Sequence, residues 1–168
     1  MEQKQKFQGT IINSQIRELI RVYSDSIKNI DISNNEFLVW YTLIALEGDY
    51  TQQDICSIWS LPKQTVNTII MRLCIKKYIY LESLLGNRNM KIIRLTKTGN
   101  DYGSKLIAPF IEIEKKAFDD IPLEKLAIAS EVLEKYLKNI QKELIEKIPH
   151  INEKEKKTLF KKNRGIRK

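Results

Sequence analysis

The sequence predicts a mostly α-helical chain with one small β-hairpin, an α+β fold. Only 6 Gly and 4 Pro occur among 168 residues, which favours long helices over many short strands joined by turns. Apolar residues recur at three- and four-residue steps along most of the chain, the spacing of one helical face. Two short strand-like segments in the middle interrupt this pattern.

The first two helices follow from apolar spacing and caps. The stripe from Ile11 to Ile30 predicts a first helix of about 20 residues. Ser33 and Glu36 have capping-box spacing, so Ser33 accepts a bond from the backbone and Glu36 reaches back to the cap. The second helix is predicted from Asn34 to Glu47, and Gly48 ends it.

The centre of the chain predicts a winged helix-turn-helix unit. Thr51 caps a short helix through Trp59, and Pro62 suits the first position of the next helix. Two apolar segments, 79–81 and 90–95, have strand composition, with a hairpin tip at Gly86–Asn89. A β-hairpin directly after a helix-turn-helix is a wing.

The remaining sequence predicts two long helices and a domain plan. Thr96 caps one helix, and Ile121-Pro122 separates it from the last. The first and last helices carry more apolar surface than a small winged domain covers, which predicts a dimerisation layer, with packing inside one chain as the alternative. The predicted segments are 1–32 for N-terminal dimerisation, 33–100 for the winged domain, 101–149 for C-terminal dimerisation and 150–168 for a basic tail.

Charge, apolar runs and cysteines limit the classes of function. The net charge is +8, and residues 60–105 hold nine basic against two acidic side chains, as expected of a folded basic surface. No run reaches the ~18 apolar residues of a spanning helix, so we expect a cytoplasmic protein without a membrane partner. Cys56 and Cys74 have no partner set for zinc or a disulfide framework; we predict buried, inert thiols, with a redox switch as the alternative.

The helix beginning near Pro62 carries the predicted DNA chemistry. Val66, Ile69, Ile70 and Leu73 share one face that must be buried, so the polar residues point outward. Amides can pair with adenine, Thr can contact thymine, and Lys or Arg can neutralise phosphate or read guanine. The predicted DNA-binding residues on this helix and the wing are Lys63, Gln64, Thr65, Asn67, Thr68, Arg72, Arg88, Lys91 and Arg94. Arg88 is predicted to enter a minor groove.

Two motifs identify a resemblance. The segments 61–73 (LPKQTVNTIIMRL) and 87–99 (NRNMKIIRLTKTG) resemble the MarR family of winged-helix transcription regulators over roughly Gln8 to Lys147. The resemblance implies a homodimer, a recognition helix in each major groove, a wing in each minor groove, and often a repressor controlled by a small-molecule effector. The family usually has an acidic residue at the position of Asn87 and glycine at that of Lys77.

The function predicted is a sequence-specific regulator of double-stranded DNA with a pseudo-palindromic operator. An effector pocket implied by the resemblance would use Trp40, Tyr41 and Trp59, together with Leu43 and the first helix; packing in the core is the alternative for these side chains. The sequence has one His, and its glycines form no phosphate-binding loop, so no enzyme, cofactor or metal is predicted. A winged-helix adaptor or antirepressor that contacts proteins is the alternative function.

Overall fold

The computed structural model describes residues 2–84 and 87–148, with side chains described from Phe7 to Ser83 and from Lys91 onward. Six helices and one two-stranded antiparallel sheet follow each other along this part of the chain. Their bounds are α1 Glu2–Ile27, α2 Asn34–Ala45, α3 Gln52–Trp59, α4 Lys63–Ile75, β1 Ile79–Leu84, β2 Asn87–Leu95, α5 Lys97–Phe118 and α6 Leu123–Lys147. The predicted fold class, mostly α with a β-wing, is confirmed.

Helix α1 differs from its prediction at both ends. It begins at Glu2, well before the apolar stripe, and ends at Ile27, so Ile30 lies outside it. Ile27 is buried, whereas Leu19 and Ile20 are exposed. The apolar stripe therefore showed that a helix exists but did not fix its length, because polar residues of good helix propensity extend it.

Helix α2 begins as predicted, but its predicted capping box is wrong. Ser33 accepts a hydrogen bond from the Glu36 backbone N–H at 3.2 Å. The Glu36 side chain does not return the bond: it is buried and pairs with Arg72 of α4. The helix ends at Ala45, two residues early, before Gly48 at φ 125°.

Caps and a tight turn connect α3 and α4. Thr51 and Asp54 form a full capping box. Helix α3 ends on Ser60 in the left-handed region at φ 61°, a conformation that costs a side-chain-bearing residue about 1–2 kcal/mol. Pro62 is the N-cap of α4 rather than its first helical residue, a one-residue difference from the prediction.

The wing is longer than predicted and is tied to the helix-turn-helix unit. Strand β2 begins at Asn87, so Asn87–Asn89 belong to a strand and not to the hairpin tip. Thr51 forms an isolated antiparallel bridge with Ile92. The Ile93 N–H donates to the Tyr50 carbonyl at 2.9 Å. The segment before α3 thus holds the base of the wing.

One core joins α2, α3, α4, the wing and α5. Its largest fully buried side chains include Trp40, Ile55, Ile70, Leu73 and Ile107. At Gly103, an added Cβ would lie 2.7 Å from the Trp40 ring, so only glycine permits this approach of α5 to α2. Helix α6 has no buried residue in the described chain, and a hydrogen bond from Asn13 Nδ2 to the Tyr136 hydroxyl at 3.0 Å connects it to α1.

Candidate nucleic-acid interface

Helix α4 is amphipathic, with the buried apolar face that the sequence predicts. Val66, Ile69, Ile70 and Leu73 are all buried against the core. This packing fixes the rotation of the helix, because the buried face cannot turn outward without exposing four apolar side chains. The opposite face of α4 is consequently presented to solvent as a rigid surface.

The outward face of α4 carries most of the predicted DNA-binding residues. Lys63, Gln64, Asn67 and Thr68 are exposed, and Thr65 is half-buried. The Thr68 hydroxyl donates to the Gln64 carbonyl at 2.9 Å, so its methyl group is free to face a partner. These amide, hydroxyl and ammonium groups lie on one helix face of about the size that a major groove accepts.

Arg72 is held by a buried acid. Its guanidinium donates to the Glu36 carboxylate, whose side chain is 5% exposed, while that of Arg72 is 49% exposed. An ion pair of this kind attaches α4 to α2 as well as neutralising the acid. The proposed DNA contact of Arg72 is therefore restricted to the side of the guanidinium that faces solvent.

The wing places its basic residues in different surroundings. Lys91 is exposed. Arg94 is half-buried, and its guanidinium donates to Glu82 at 2.6 Å and to both carboxylate oxygens of Asp49. These bonds raise the pKa of Arg94, first through Asp49 and then through Glu82. Arg94 thus clamps the wing to the α2–α3 connection, a role the sequence did not suggest.

Arg88 is the remaining predicted contact. Its backbone lies in β2, and its side chain lies outside the described residues. The basic tail at 150–168 is outside them too.

A cavity of about 540 Å³ lies beside the winged domain. Residues of α1, α2, α3 and α5 line it: Leu19, Ile20, Tyr23, Ser24, Ile27, Asn34, Phe37, Leu38, Tyr41, Trp59 and Glu114. Tyr41 and Trp59 are in this wall, in line with two of the three residues named for an effector pocket.

Trp40 is a correction to that prediction. It is fully buried in the core against the rings of Tyr78 and Tyr102, which stack on each other, at centroid distances of 5.8 and 5.3 Å, and it does not line the cavity. Leu43 does not line it either. Consecutive helical residues point about 100° apart, so Tyr41 faces the cavity while Trp40 faces the core.

The sequence reasoning missed the polar centre of the cavity. The Tyr23 hydroxyl donates to Glu114 Oε1, and the Tyr41 hydroxyl donates to Glu114 Oε2. Burial and then the bond to Glu114 raise the pKa of both phenols, that of Tyr41 to about 12. One signal was available: Glu114 continues the inward face of α5 that Ile107 and Phe110 begin, at a position where an apolar residue is expected.

Metal sites, reactive thiols and membrane-spanning helices each have structural requirements with which the described residues can be compared. No group of three or more His, Cys, Asp and Glu side chains in 2–84 and 87–148 could hold a metal ion. Cys56 and Cys74 are half-buried free thiols rather than fully buried ones, and burial raises the pKa of both, which disfavours the reactive thiolate. No helix within the described ranges has the length and apolar content needed to cross a membrane.

Comparison with known proteins supports the resemblance at the level of structure. No known family profile and no curated protein sequence matches the chain. A MarR family regulator from Neisseria meningitidis is 29% identical, with a TM-score of 0.72 over 83% of this chain and 97% of that one. MepR from S. aureus, in its DNA-binding conformation, is 21% identical, with a TM-score of 0.63 over 79% of this chain and 98% of that one.

A third structure has the same fold. It is BpsR of Bordetella bronchiseptica, whose DNA binding is regulated by 6-hydroxynicotinic acid. It is 19% identical, with a TM-score of 0.54 over 76% of this chain and 91% of that one. The order of helices and wing, the two sequence motifs and the similarity to the Neisseria regulator together support a MarR-family winged-helix transcriptional regulator.

Proposed function

We propose that this DNA-binding regulator is a homodimeric repressor, specific for a pseudo-palindromic operator and released from it by a small molecule. The observation that carries the proposal is the outward face of α4. Its rotation is fixed by four buried side chains, and it presents Gln64 and Asn67 together with Lys63. Amide side chains can form two hydrogen bonds to adenine, and such pairs discriminate between bases.

The wing supplies the second part of the proposed interface. Lys91 lies exposed on β2 and reaches phosphate without base preference. Arg88 is proposed to enter the adjacent minor groove, where a narrow A·T-rich groove attracts a guanidinium. Since Arg94 is bound to Asp49 and Glu82, we assign it to holding the wing in place, and its predicted DNA contact becomes secondary.

Exposed apolar side chains support the homodimer. On α6, Leu123 is 81% exposed and Leu137 is 53% exposed, and on α1 Ile20 is 62% exposed. Exposed apolar surface of this extent marks an interaction site. A second copy that covers both helices would place two α4 helices on one duplex, about one helical turn apart.

The cavity supports control by a small molecule. A concave, mostly apolar site with a few polar groups is typical of ligand pockets, and about 540 Å³ lies within their usual range. Helix α2 connects the cavity to the recognition helix: Tyr41 lines the cavity, and Glu36, on the same helix, holds Arg72 of α4. A ligand that shifts α2 would move α4.

The proposal is tested by selecting duplexes from a random library with the purified protein and sequencing those that remain bound. We expect a palindromic motif whose half-site centres are about 10 base pairs apart. Recovery of random sequence would contradict specific binding and favour the alternative of a protein-contacting adaptor. A motif with a single half-site would contradict the dimeric arrangement while leaving base recognition intact.

A further inference from the structure

We propose that the cavity between α1, α2, α3 and α5 binds an organic cation, a protonated amine attached to an aromatic or other apolar body. The inference rests on the proposed function, because it names the chemical class of the small molecule that would act there. Three features of the cavity support it: the charge of its wall, the free acceptors on its carboxylate, and its aromatic side chains.

The charge of the wall is negative. Of the eleven side chains that line the cavity, all in the described part of the chain, Glu114 alone carries a charge, and the others are apolar, aromatic or neutral polar. Opposite charges attract more strongly in a partly desolvated apolar site than in water. An anionic ligand would instead meet a carboxylate with no Lys or Arg beside it in the wall.

The carboxylate of Glu114 is oriented and still has free acceptors. Each of its oxygens accepts one phenol proton, from Tyr23 and from Tyr41. A carboxylate has about four lone-pair sites, so about two remain for N–H donors of a ligand. Because the two phenols come from α1 and α2 and the acid comes from α5, the acceptor position is fixed before any ligand arrives.

Aromatic rings complete the site. Phe37, Tyr41 and Trp59 line the cavity, and the Tyr41 and Trp59 rings are perpendicular, with centroids 5.9 Å apart. The Trp59 Nε1–H donates to the Thr42 hydroxyl at 2.7 Å, which fixes the indole ring. The faces of such rings attract cations, Trp most strongly, and their area also accommodates an apolar ligand body.

The test uses three probes of nearly equal size: naphthylmethylammonium, naphthylmethanol and naphthoate, all substituted at the same ring carbon. Their dissociation constants are measured by calorimetry on the full chain, in the absence of DNA. We expect the cation to bind roughly tenfold or more tightly than the alcohol, and the alcohol more tightly than the anion, since charge-assisted hydrogen bonds exceed neutral ones. The proposal would be overturned if the anion bound most tightly, if all three probes bound equally, or if none of them bound.

The site is located by two matched variants on α5. Glu114→Gln keeps the size of the side chain and an acceptor for the tyrosines but removes the charge; Glu112→Gln removes the same charge from an exposed position outside the cavity wall. We expect Glu114→Gln to bring the cation and the alcohol within about threefold of each other, and Glu112→Gln to keep the preference. Retention of the full preference in Glu114→Gln would overturn the proposal.

Two controls distinguish a failure of the proposed ligand class from a folding defect and from a failure of the proposed function. If Glu114→Gln does not fold, judged by its circular dichroism, the order of the three probes on the wild type still decides the charge preference. Wild-type DNA binding without ligand is measured in parallel. A chain that binds the cation but no specific DNA refutes the proposed function and keeps the ligand class. A chain that binds specific DNA but prefers the anion refutes the ligand class alone.

Discussion

The winged domain and the terminal helices bury their apolar side chains to very different extents. In the winged domain, Ile55, Val66, Ile70 and Leu73 are fully buried within one chain. In α6, Leu123, Ile128 and Leu137 are more than half exposed, and no residue of that helix is buried in the described chain. Both regions carry amphipathic helices, but only the winged domain covers its apolar faces with its own residues.

The difference indicates which contacts determine each region. Full burial of a Leu or Ile side chain contributes about 1.5–3 kcal/mol, so the winged domain owes its shape to contacts within the chain. The apolar surface of α6 gains this energy only when something covers it. We infer that the position of the two recognition helices relative to each other depends on the proposed partner copy. The shape of each winged domain does not depend on it.

The largest expected effect comes from placing a charge in the exposed apolar face of α6. Leu137→Asp is expected to produce a monomer, because a buried unpaired carboxylate is strongly disfavoured at an interface. Specific DNA affinity should then fall by about 10²–10⁴-fold, the gain that linked binding of two half-sites provides. Sedimentation and a DNA titration measure the two effects.

Asn139→Asp is the matched control for that variant. It adds the same charge two residues away at an exposed polar position of α6, and should leave assembly and affinity near wild type. A Leu137→Asp protein that remains dimeric, or that is monomeric and retains full affinity, would contradict the proposed role of the terminal helices.

The second effect tests the outward face of the winged domain. Asn67→Ala should cost about 1–3 kcal/mol of binding free energy on the selected operator and relax its sequence preference, with no change in stability. Lys91→Ala should weaken binding to all duplexes alike and reduce the salt dependence by about one charge. Titrations on operator and random duplexes at several salt concentrations separate them; equal losses on both duplexes for Asn67→Ala would remove its base-reading role.

The sequence predicted the recognition helix well because its signals are local. The four apolar residues from Val66 to Leu73 are spaced for one face of a helix, and the structure buries all four. Likewise, Thr51 and Asp54 cap α3 across three residues. Backbone geometry alone relates residues this close, so their contacts follow from spacing.

The polar contacts between distant helices could not be predicted in this way. The capping-box spacing predicted that the Glu36 side chain would bind the cap at Ser33. The structure instead pairs Glu36 with Arg72, 36 residues away. Glu114 meets Tyr23 across 91 residues and Tyr41 across 73. Such pairs depend on how the helices pack together, which one helical period does not specify. The helical period shows that the adjacent Trp40 and Tyr41 face different ways, but which of the two faces the cavity depends on that packing.

The third effect concerns the ion pair between Glu36 and Arg72. Glu36→Gln should lower the free energy of unfolding by about 1–2 kcal/mol, because the buried position loses a charge-assisted bond, although Arg72 can turn to water. The double variant Glu36→Gln with Arg72→Met should lose less than the sum of the single changes, as expected for residues in contact. Urea unfolding of the four proteins measures the coupling, and additive losses would show that the ion pair contributes nothing.

The smallest effect concerns the end of α4, where this chain has lysine at the position that the family resemblance assigns to glycine. Lys77 has φ 58°; its N–H donates to the Cys74 carbonyl at 2.9 Å, and the Tyr78 N–H donates to the Leu73 carbonyl at 3.0 Å. This is the Schellman pattern, in which a left-handed residue closes the helix. The structure keeps this turn with a strained lysine in the place of glycine.

Lys77→Gly should therefore raise the free energy of unfolding by up to about 1 kcal/mol, because removing Cβ relieves the left-handed strain and glycine's greater freedom in the unfolded chain offsets part of the gain. Lys77→Ala is the control: it loses the same ammonium group, which favours a helix C-terminus by about 0.3–1 kcal/mol, but keeps Cβ. We expect the glycine variant to be more stable than the alanine variant in urea unfolding, with unchanged DNA binding. A glycine variant no more stable than alanine would mean that the winged domain relaxes this turn at no cost, so that even its most local geometry depends on the surrounding packing.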